Sequence, residues 1–546
     1  MKTIYAIVFI TLINFFLASY LFCQATQEWV AIYNGNYDDH SPYLALDDSG
    51  NVLITGTSSV DYEAENFCTV KYNNCGVSQW ISYYNGPAYC AIDEARCITT
   101  DHSGNVYVAG NSANITRDFA VIKYNVNGVV LWIARYDGPG YGYDNPVAIT
   151  VDDFENVYVT GHSMGSGSNF DFATIKYNAA GTVEWIQRYN GPANSDDYPY
   201  DLALDNANNI FITGYSLGAN GVNADCLTIK YNSSGVEQWI ARYDDPAQAN
   251  DVAKKIVVDS LGNSYITGSS RSSTFGTYSR CLTIKYNSDG AEQWVAKFGG
   301  LLGADGANDI VLDNFGNLFV AGTTYNNQSG YDYATIKYNS NGVQEWVNVY
   351  NGSGNGLDCV HSIAIDKWGD VYVTGESLGS GTNSNYVTIK YASEGIEQWI
   401  ALYNRAETSL EEAFDMAVDD SGNVYVTGNS VTGVGYDFLT IKYSQLTTGI
   451  LQDIKSIPYQ FILEQNYPNP FNPSTTISWQ SPVGSWQTIK LFDVLGREIE
   501  TIVDGYYEAG NHSTSYIVNS SLTSGVYFYQ LKVGDFIQTK KMILIK

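Results

Sequence analysis

The stretch DYPYDLALDNANNIFITGYSLGANGVNADCLTIKYNSSGVEQWIARY, residues 197–243, decides how the whole chain is read. Asp201 to Leu204 alternates as a short strand, Asp205-Asn206-Ala207-Asn208-Asn209 is a polar turn, and Ile210 to Thr213 predicts a second strand ending at Gly214. After a Gly/Asn-rich loop, Cys226 to Tyr231 and Val236 to Tyr243 flank the turn Asn232-Ser233-Ser234-Gly235. Alternation broken by tight polar turns predicts four antiparallel strands. The same pattern recurs around Trp29, Trp80, Trp132, Trp185, Trp239, Trp294, Trp346 and Trp399, at intervals of 51 to 55 residues. A unit of that size cannot bury both faces of its own sheet, so neighbouring copies must stack.

Counting the elements predicts how the array ends. There are eight turn aspartates (Asp47, Asp101, Asp152, Asp205, Asp259, Asp313, Asp366, Asp419) and eight Lys-Tyr pairs, from Lys71-Tyr72 to Lys442-Tyr443. An Asx-turn accounts for the aspartates, and a left-handed backbone is expected at the strand-ending glycines, Gly56 through Gly428. In seven copies a tryptophan follows the lysine by nine residues, but nine after Lys442 stands Leu451. The last copy lacks a fourth strand, while Trp29 to Tyr33 precedes the first turn as an orphan. Pairing the two leaves no open edge. The expectation is an all-β fold: an eight-bladed β-propeller closed by its N-terminal strand, with an open β-solenoid as the alternative.

The 546 residues carry a net charge of −29, 45% hydrophobic and 14% aromatic side chains, with 45 Tyr, 51 Gly and 4 Met. That is a β-rich, turn-rich composition with ample core material. The negative balance argues against nucleic acid and anionic membrane as partners. Residues 462–546 hold 6 basic and 7 acidic side chains, a net of −1, which leaves −28 upstream. Residues 1–25 read as a secretory leader: Lys2, the apolar run Ile4 to Phe22, then Cys23-Gln24-Ala25. An N-terminal membrane anchor is the alternative for that run, and no other segment is apolar enough to span a bilayer. Seven cysteines follow it (Cys68, Cys75, Cys90, Cys97, Cys226, Cys281, Cys359), an odd and irregular set that reads as small hydrophobes rather than a disulfide framework.

Segments such as Asp420-Ser421-Gly422-Asn423-Val424-Tyr425-Val426-Thr427-Gly428 resemble the SBBP-type bacterial β-propeller repeat over residues 28–443. The resemblance implies a propeller and names no reaction. Past a linker at 452–461 the period stops. Short strands at Ile477-Trp479, Thr488-Phe492, Ser515-Val518 and Val526-Leu531 predict a small Ig-like β-sandwich over residues 462–546. This segment resembles the type A sorting domain of the type IX secretion system of Bacteroidetes and their relatives. The resemblance rests on Asn466-Tyr467-Pro468-Asn469-Pro470-Phe471-Asn472-Pro473-Ser474-Thr475, Leu495-Gly496-Arg497-Glu498, Ala509-Gly510-Asn511-His512, Ser524-Gly525-Val526-Tyr527 and Lys540-Lys541-Met542. It implies a noncatalytic address for a Sec-exported cargo, read by the outer-membrane translocon and its sorting machinery, with display at the cell surface. An unrelated Ig-like adhesion module is the alternative.

Candidate chemistry is sparse. Gly161-His162-Ser163-Met164-Gly165, Gly214-Tyr215-Ser216-Leu217-Gly218 and Gly375-Glu376-Ser377-Leu378-Gly379 match the serine-hydrolase elbow in letters but lack its strand–helix context, so no catalytic residue is assigned. The histidines His40, His102, His162, His361 and His512 form no ligand-spaced pair. Eight residues before each turn aspartate stands another acid: Asp39, Asp93, Asp144, Asp197, Asp251, Asp305, Asp358 and Glu411. Each is placed just before an innermost strand, so in a closed ring the eight would circle one mouth of the channel. There they would hold a cation such as calcium, or else cap loops and pair with repeat lysines such as Lys176 or Lys230. Asn190 to Tyr200, rich in Asn, Asp and Tyr, suits glycan contacts on that face. The overall expectation is a secreted or surface-displayed binding or scaffold propeller, its ligand a glycan or protein, and more a binder than an enzyme. The alternative is an extracellular polysaccharide hydrolase or lyase.

Overall fold

The structure, a computed structural model, describes residues 25–445 and 461–546 apart from positions 36, 60–64, 89–91, 220, 247, 272–277, 300–302, 304, 381–382, 407–408, 432–434, 483–484, 508–509, 519–521 and 535. The expected leader through Gln24, the linker through residue 460, Leu451 and Cys90 fall outside the described residues. The chain divides into two compact units between Gln445 and Leu446. Among the described residues every regular element is a strand, and no helix is long and apolar enough to cross a membrane.

The first unit is propeller-like, built from eight four-stranded antiparallel sheets among the described residues. Their first strands are Asp39–Leu46, Asp93–Thr100, Asp144–Val151, Asp197–Leu204, Asp251–Val258, Gly306–Leu312, Asp358–Ile365 and Leu410–Val418, and the sheets are numbered 1 to 8 in that order. In sheet 8 the fourth place is taken by the N-terminal strand Ala25–Tyr33, which pairs antiparallel with Tyr436–Gln445, Trp29 opposite Lys442 and Tyr33 opposite Phe438. Sheet 8 also meets sheet 1 directly, where the Leu44 N–H donates to Asp415 Oδ2 at 2.8 Å.

Burial grades outward within each sheet. Every residue of the second strand Val52–Ser59 is buried, whereas the outermost strand Ser78–Tyr84 is mostly exposed or half-buried. The middle strands are covered on both faces. Hydroxyls buried there pair from strand to strand, as in Thr55–Thr69 at 2.9 Å and Thr160–Thr174 at 3.0 Å. The turn aspartates do what an Asx-turn requires: Asp47 Oδ1 accepts from the N–H groups of Ser49 and Asn51. Repeat lysines bind acids of turns and outer strands, Lys71 to Asp47 at 2.8 Å and Lys176 to Glu184 at 2.9 Å.

Neighbouring sheets are clasped at the outer edge. Each indole N–H from Trp29 to Trp346 donates to a carbonyl in the last hairpin turn of the next sheet, for example Trp80 to Val126 at 3.0 Å and Trp185 to Ser233 at 3.2 Å. A glycine in that turn lies flat on the indole. At Gly235, φ is +80°, and an added Cβ would sit 2.8 Å from the Trp185 ring. Sheet 8 has the N-terminal strand where this hairpin belongs, and the buried Trp399 indole N–H has no acceptor.

Two expectations are corrected. The second strand of sheet 4 does not stop at Gly214 but runs Ile210–Leu217. Nor are Gly56, Gly110, Gly214 and their counterparts left-handed, since none is among the positive-φ residues. They are glycines because the first strand bulges toward them, and a Cβ at Gly214 would lie 2.0 Å from the Tyr198 carbonyl oxygen.

In the second unit, Ile462–Leu463, Ser474–Ser481 and Gly510–Ile517 form one antiparallel sheet, and Glu498–Tyr507, Ser485–Phe492, Gly525–Val533 and Phe536–Leu544 another. Residues from both sheets share one core around Ile477, Trp479, Ile489, Leu491 and Tyr529. The Asn-Tyr-Pro-Asn-Pro opening is stitched to the last two strands. The Asn466 N–H donates to Tyr529 Oη at 2.7 Å, and the Ile543 N–H to Asn469 Oδ1 at 2.9 Å.

Candidate functional site

Each of the eight fixed-offset acids stands where its sheet's first strand begins, and all eight side chains are buried. Their oxygens face backbone N–H groups of the entering loop or the adjoining strand. Asp144 takes Gly138 at 2.7 Å and Met164 at 3.1 Å, Asp358 takes Gly352 at 2.7 Å and Leu378 at 3.1 Å, and Asp305 takes Tyr325 at 2.6 Å. Opposite them across the strand pair stand serines: Ser58 to Asp39, Ser163 to Asp144, Ser216 to Asp197, Ser270 to Asp251 and Ser377 to Asp358. These are the serines of the Gly-x-Ser motifs. Burial raises the carboxyls of Asp39 and Asp251 to about 6, and raises those of Asp144, Asp197, Asp358 and Glu411, although their serine and backbone hydrogen bonds pull the other way. Asp144 also lies within reach of Asp118 and Asp137, and among the described residues these three carboxylates are the group close enough to share an ion. Arg135 already supplies positive charge there, its Nη2 being 3.0 Å from Asp118.

One residue further along the first strand the repeat breaks. Side chains alternate across a strand, so this next residue points to the opposite face from the buried acid. In register it pairs with the residue following the strand glycine. From sheet 1 to sheet 8 the pairs are His40–Thr57, Glu94–Asn111, Asn145–His162, Tyr198–Tyr215, Val252–Ser269, Gly306–Thr323, Cys359–Glu376 and Glu412–Asn429. The position is structurally equivalent in all eight sheets, yet it holds eight different pairs.

These innermost strands touch from sheet to sheet, so the pairs border a common surface. Asn111 Nδ2 donates to Asn145 Oδ1 at 2.8 Å, Lys254 Nζ to Asn308 Oδ1 at 2.7 Å, and Asn308 Nδ2 to the Val360 carbonyl at 2.8 Å. Three sectors follow. Sheets 3 and 4 form an aromatic wall: the His162 ring lies 5.0 Å from Phe170 and 4.7 Å from Tyr198, while Tyr215 lies 5.4 Å from Tyr198 and 6.0 Å from Tyr200. Burial and the nearby Arg96 charge lower the His162 imidazole to about 4, so it is neutral at physiological pH. Sheet 2 gathers Glu94, Arg96, Arg117 and Asn111. Burial raises the Glu94 carboxyl, but Asn111 and the two arginines outweigh it and hold it low. Sheets 7 and 8 carry Glu376, Glu412 and His361, whose Nε2 is 3.9 Å from Glu376 Oε1. Burial, and then the Glu376 charge, raise Glu412.

Deeper on the same strands a charge cluster spans four sheets. Lys255 lies 3.8 Å from Asp201, whose charge raises the ammonium most, with Asp309 and Asp415 adding to it. Burial pushes Asp415 up to about 6 and also raises Asp201 and Asp309, against the pull of Lys255. The three aspartates double as ties between sheets, accepting backbone N–H groups from Leu44, Ile256 and Ile363.

Comparison with known proteins identifies both units. Residues 465–546 match the secretion system C-terminal sorting domain. The C-terminal unit is a sorting domain. Residues 184–221, 247–276, 293–327 and 398–430 match the β-propeller repeat. The protein is therefore a β-propeller repeat cargo of the type IX secretion system, and the sorting domain directs its secretion and attachment at the cell surface. An uncharacterized WD repeat-containing protein of Acanthamoeba polyphaga mimivirus is 22% identical over 458 residues, 64% of this chain and 30% of the relative. The chain thus spans under a third of that relative's length. Among solved structures, the WD40 domain of SCAP from fission yeast aligns with 76% of this chain and 97% of its own, at 9% identity and a TM-score of 0.43. The β-propeller domain of the trilobed protease from Pyrococcus furiosus aligns over 65% and 95%, at 12% identity and a TM-score of 0.39.

The turns, tryptophans and fixed-offset acids were legible as repeats. The variable pairs were not, although their signal lay in the middle letter of the Gly-x-Ser motifs: His162, Tyr215 and Glu376 each occupy it.

Proposed function

We propose that the sorting domain displays an eight-bladed ring at the cell surface and that the ring binds an extracellular glycan across its variable mouth. In this reading residues 1–25 are the leader, 26–451 the ring closed by Trp29 to Tyr33 at the last blade, 452–461 a linker, and 462–546 a small Ig-like sandwich. The observation that supports binding is the set of eight different side-chain pairs at one register position, beside neighbours that repeat. A scaffold has no need to vary a position flanked by an acid and a glycine that recur in every sheet. The aromatic wall of His162, Tyr198, Tyr200 and Tyr215 offers flat apolar faces with polar edges, which suit a sugar ring, and the flanking amides Asn111 and Asn145 suit its hydroxyls. The fixed-offset acids serve the blades in this reading, each holding a loop through backbone N–H groups, with no call on calcium.

The test is a glycan array and a hydrolysis screen with the secreted full-length protein and its Tyr198→Ala/Tyr215→Ala variant. Binding that disappears in the variant is the expected result. Binding by both proteins alike, or to no glycan, would sink the proposal, and released sugar products would favour the hydrolase or lyase alternative.

A further inference from the structure

Sheet 2 places two arginines around a single carboxylate. Arg96 Nη2 lies 2.6 Å and Arg117 Nη1 3.7 Å from the same oxygen of Glu94. Glu94 cancels one of these charges and leaves the other over, on side chains that are about one-third exposed, at 36% and 32%. Arg117 stacks over the exposed ring of Tyr143 at 5.7 Å, which holds its planar head in place without occupying its N–H groups. This sheet is joined to the aromatic wall through Asn111, whose Nδ2 donates to Asn145 Oδ1 at 2.8 Å, and Asn145 stands opposite His162. A surplus guanidinium beside an aromatic platform matches a ligand with a carboxylate next to a flat, weakly polar ring.

We infer that the ligand is an acidic glycan, its hexuronate carboxylate taken by Arg96 and Arg117 while a sugar ring packs on His162 and Tyr198. The inference rests on the glycan reading above and narrows it to one chemical class. Arginine suits the task because its planar fork meets both oxygens of a carboxylate. The rest of the mouth sets the direction. Glu376 and Glu412 face it from sheets 7 and 8, while on sheet 1, next to sheet 2, Glu65 lies 3.8 Å from His40 Nε2. A carboxylate is therefore attracted at the two arginines of sheet 2 and repelled at sheets 7 and 8, so the glycan enters with its acid toward sheet 2.

The decisive experiment uses oligogalacturonate and its methyl ester, which share a ring and differ in charge. Calorimetric titration of the secreted full-length protein should favour the acid over the ester by about tenfold, the worth of one charge-assisted contact. Arg96→Gln/Arg117→Gln should bring the two affinities together, the acid losing more than the ester, and Tyr198→Ala/Tyr215→Ala should weaken both. Oligomers of glucuronate and guluronate, run alongside, report the sugar preferred within the class. Equal affinity for acid and ester, or an acid preference that survives the arginine substitutions, overturns the inference while leaving the glycan reading intact. Binding to neutral glycans alone does the same. Failure of every acidic and neutral glycan overturns both.

Discussion

The outer edge and the inner strands of the eight sheets obey opposite rules. At the edge, one contact is copied seven times: an indole N–H on the next sheet's turn carbonyl, and a glycine flat against the ring. At the inner strands the backbone register is copied just as faithfully, yet the outward-turned pairs run from Tyr198–Tyr215 to Gly306–Thr323. Stacking demands the first kind of uniformity, because each sheet must fit a neighbour built from the same repeat. The second position is not held to one residue type, and the contacts it makes between sheets differ from place to place, Asn111 with Asn145 in one and His162 with Tyr198 in the next. The difference separates residues that hold the array together from residues free to specify a ligand.

The largest effect should come from breaking the edge where it is made by distant parts of the chain. Deleting residues 26–34 removes the strand that completes sheet 8 against Tyr436–Gln445. Cooperative thermal unfolding of the propeller is expected to be lost, whereas a solenoid with separate ends would merely shorten and melt a little earlier. Calorimetry distinguishes the two.

A smaller effect sharpens the contrast directly. Gly235→Ala forces a Cβ to within 2.8 Å of the Trp185 ring at a φ of +80°. The expected cost is about 1–3 kcal/mol in denaturant unfolding. Tyr200→Ala, on the exposed rim of the aromatic wall, should cost less than about 1 kcal/mol while reducing glycan affinity. If the two variants lost equal stability, the division between edge and mouth would fail.

The smallest effect concerns the buried acids. Burial raises the Asp251 carboxyl from 3.8 to about 6, so between these values the folded state binds more protons than the unfolded chain. Its contribution to stability is present in acid and is lost as pH rises through about 6. Asp251→Asn should flatten that slope in urea unfolding titrations between pH 4 and 6. Millimolar calcium should leave the melting temperature of both proteins unchanged, because the carboxylate already receives the Asp245 N–H at 2.7 Å. A calcium-dependent rise in the wild type alone would instead make the acid a cation ligand.

What was legible in the sequence was whatever the fold repeats. Turn aspartates, Lys-Tyr strands and clasping tryptophans recur because each performs the same local task, so period and strand count could be read by counting. The glycines were misread for a related reason. A glycine before Ser looks like a strand end, and only the bulge of the neighbouring strand reveals that Gly214 is small to admit the Tyr198 carbonyl. The pairs at the mouth escaped because single residues that differ from copy to copy look like drift in a repeat, and their partners come from a different strand.

The sequence by itself determined the repeat, the strand missing from the last copy, the N-terminal segment able to replace it, and the sorting domain with its address. Each of these is a local pattern, written in consecutive residues. Tertiary structure alone decided which side chains meet. Lys255 lies among Asp201, Asp309 and Asp415 because innermost strands of different sheets converge, and no spacing along the chain encodes that meeting. The buried acid and the residue after it are adjacent in sequence, but the alternation of a strand turns one toward its loop and the other toward the mouth.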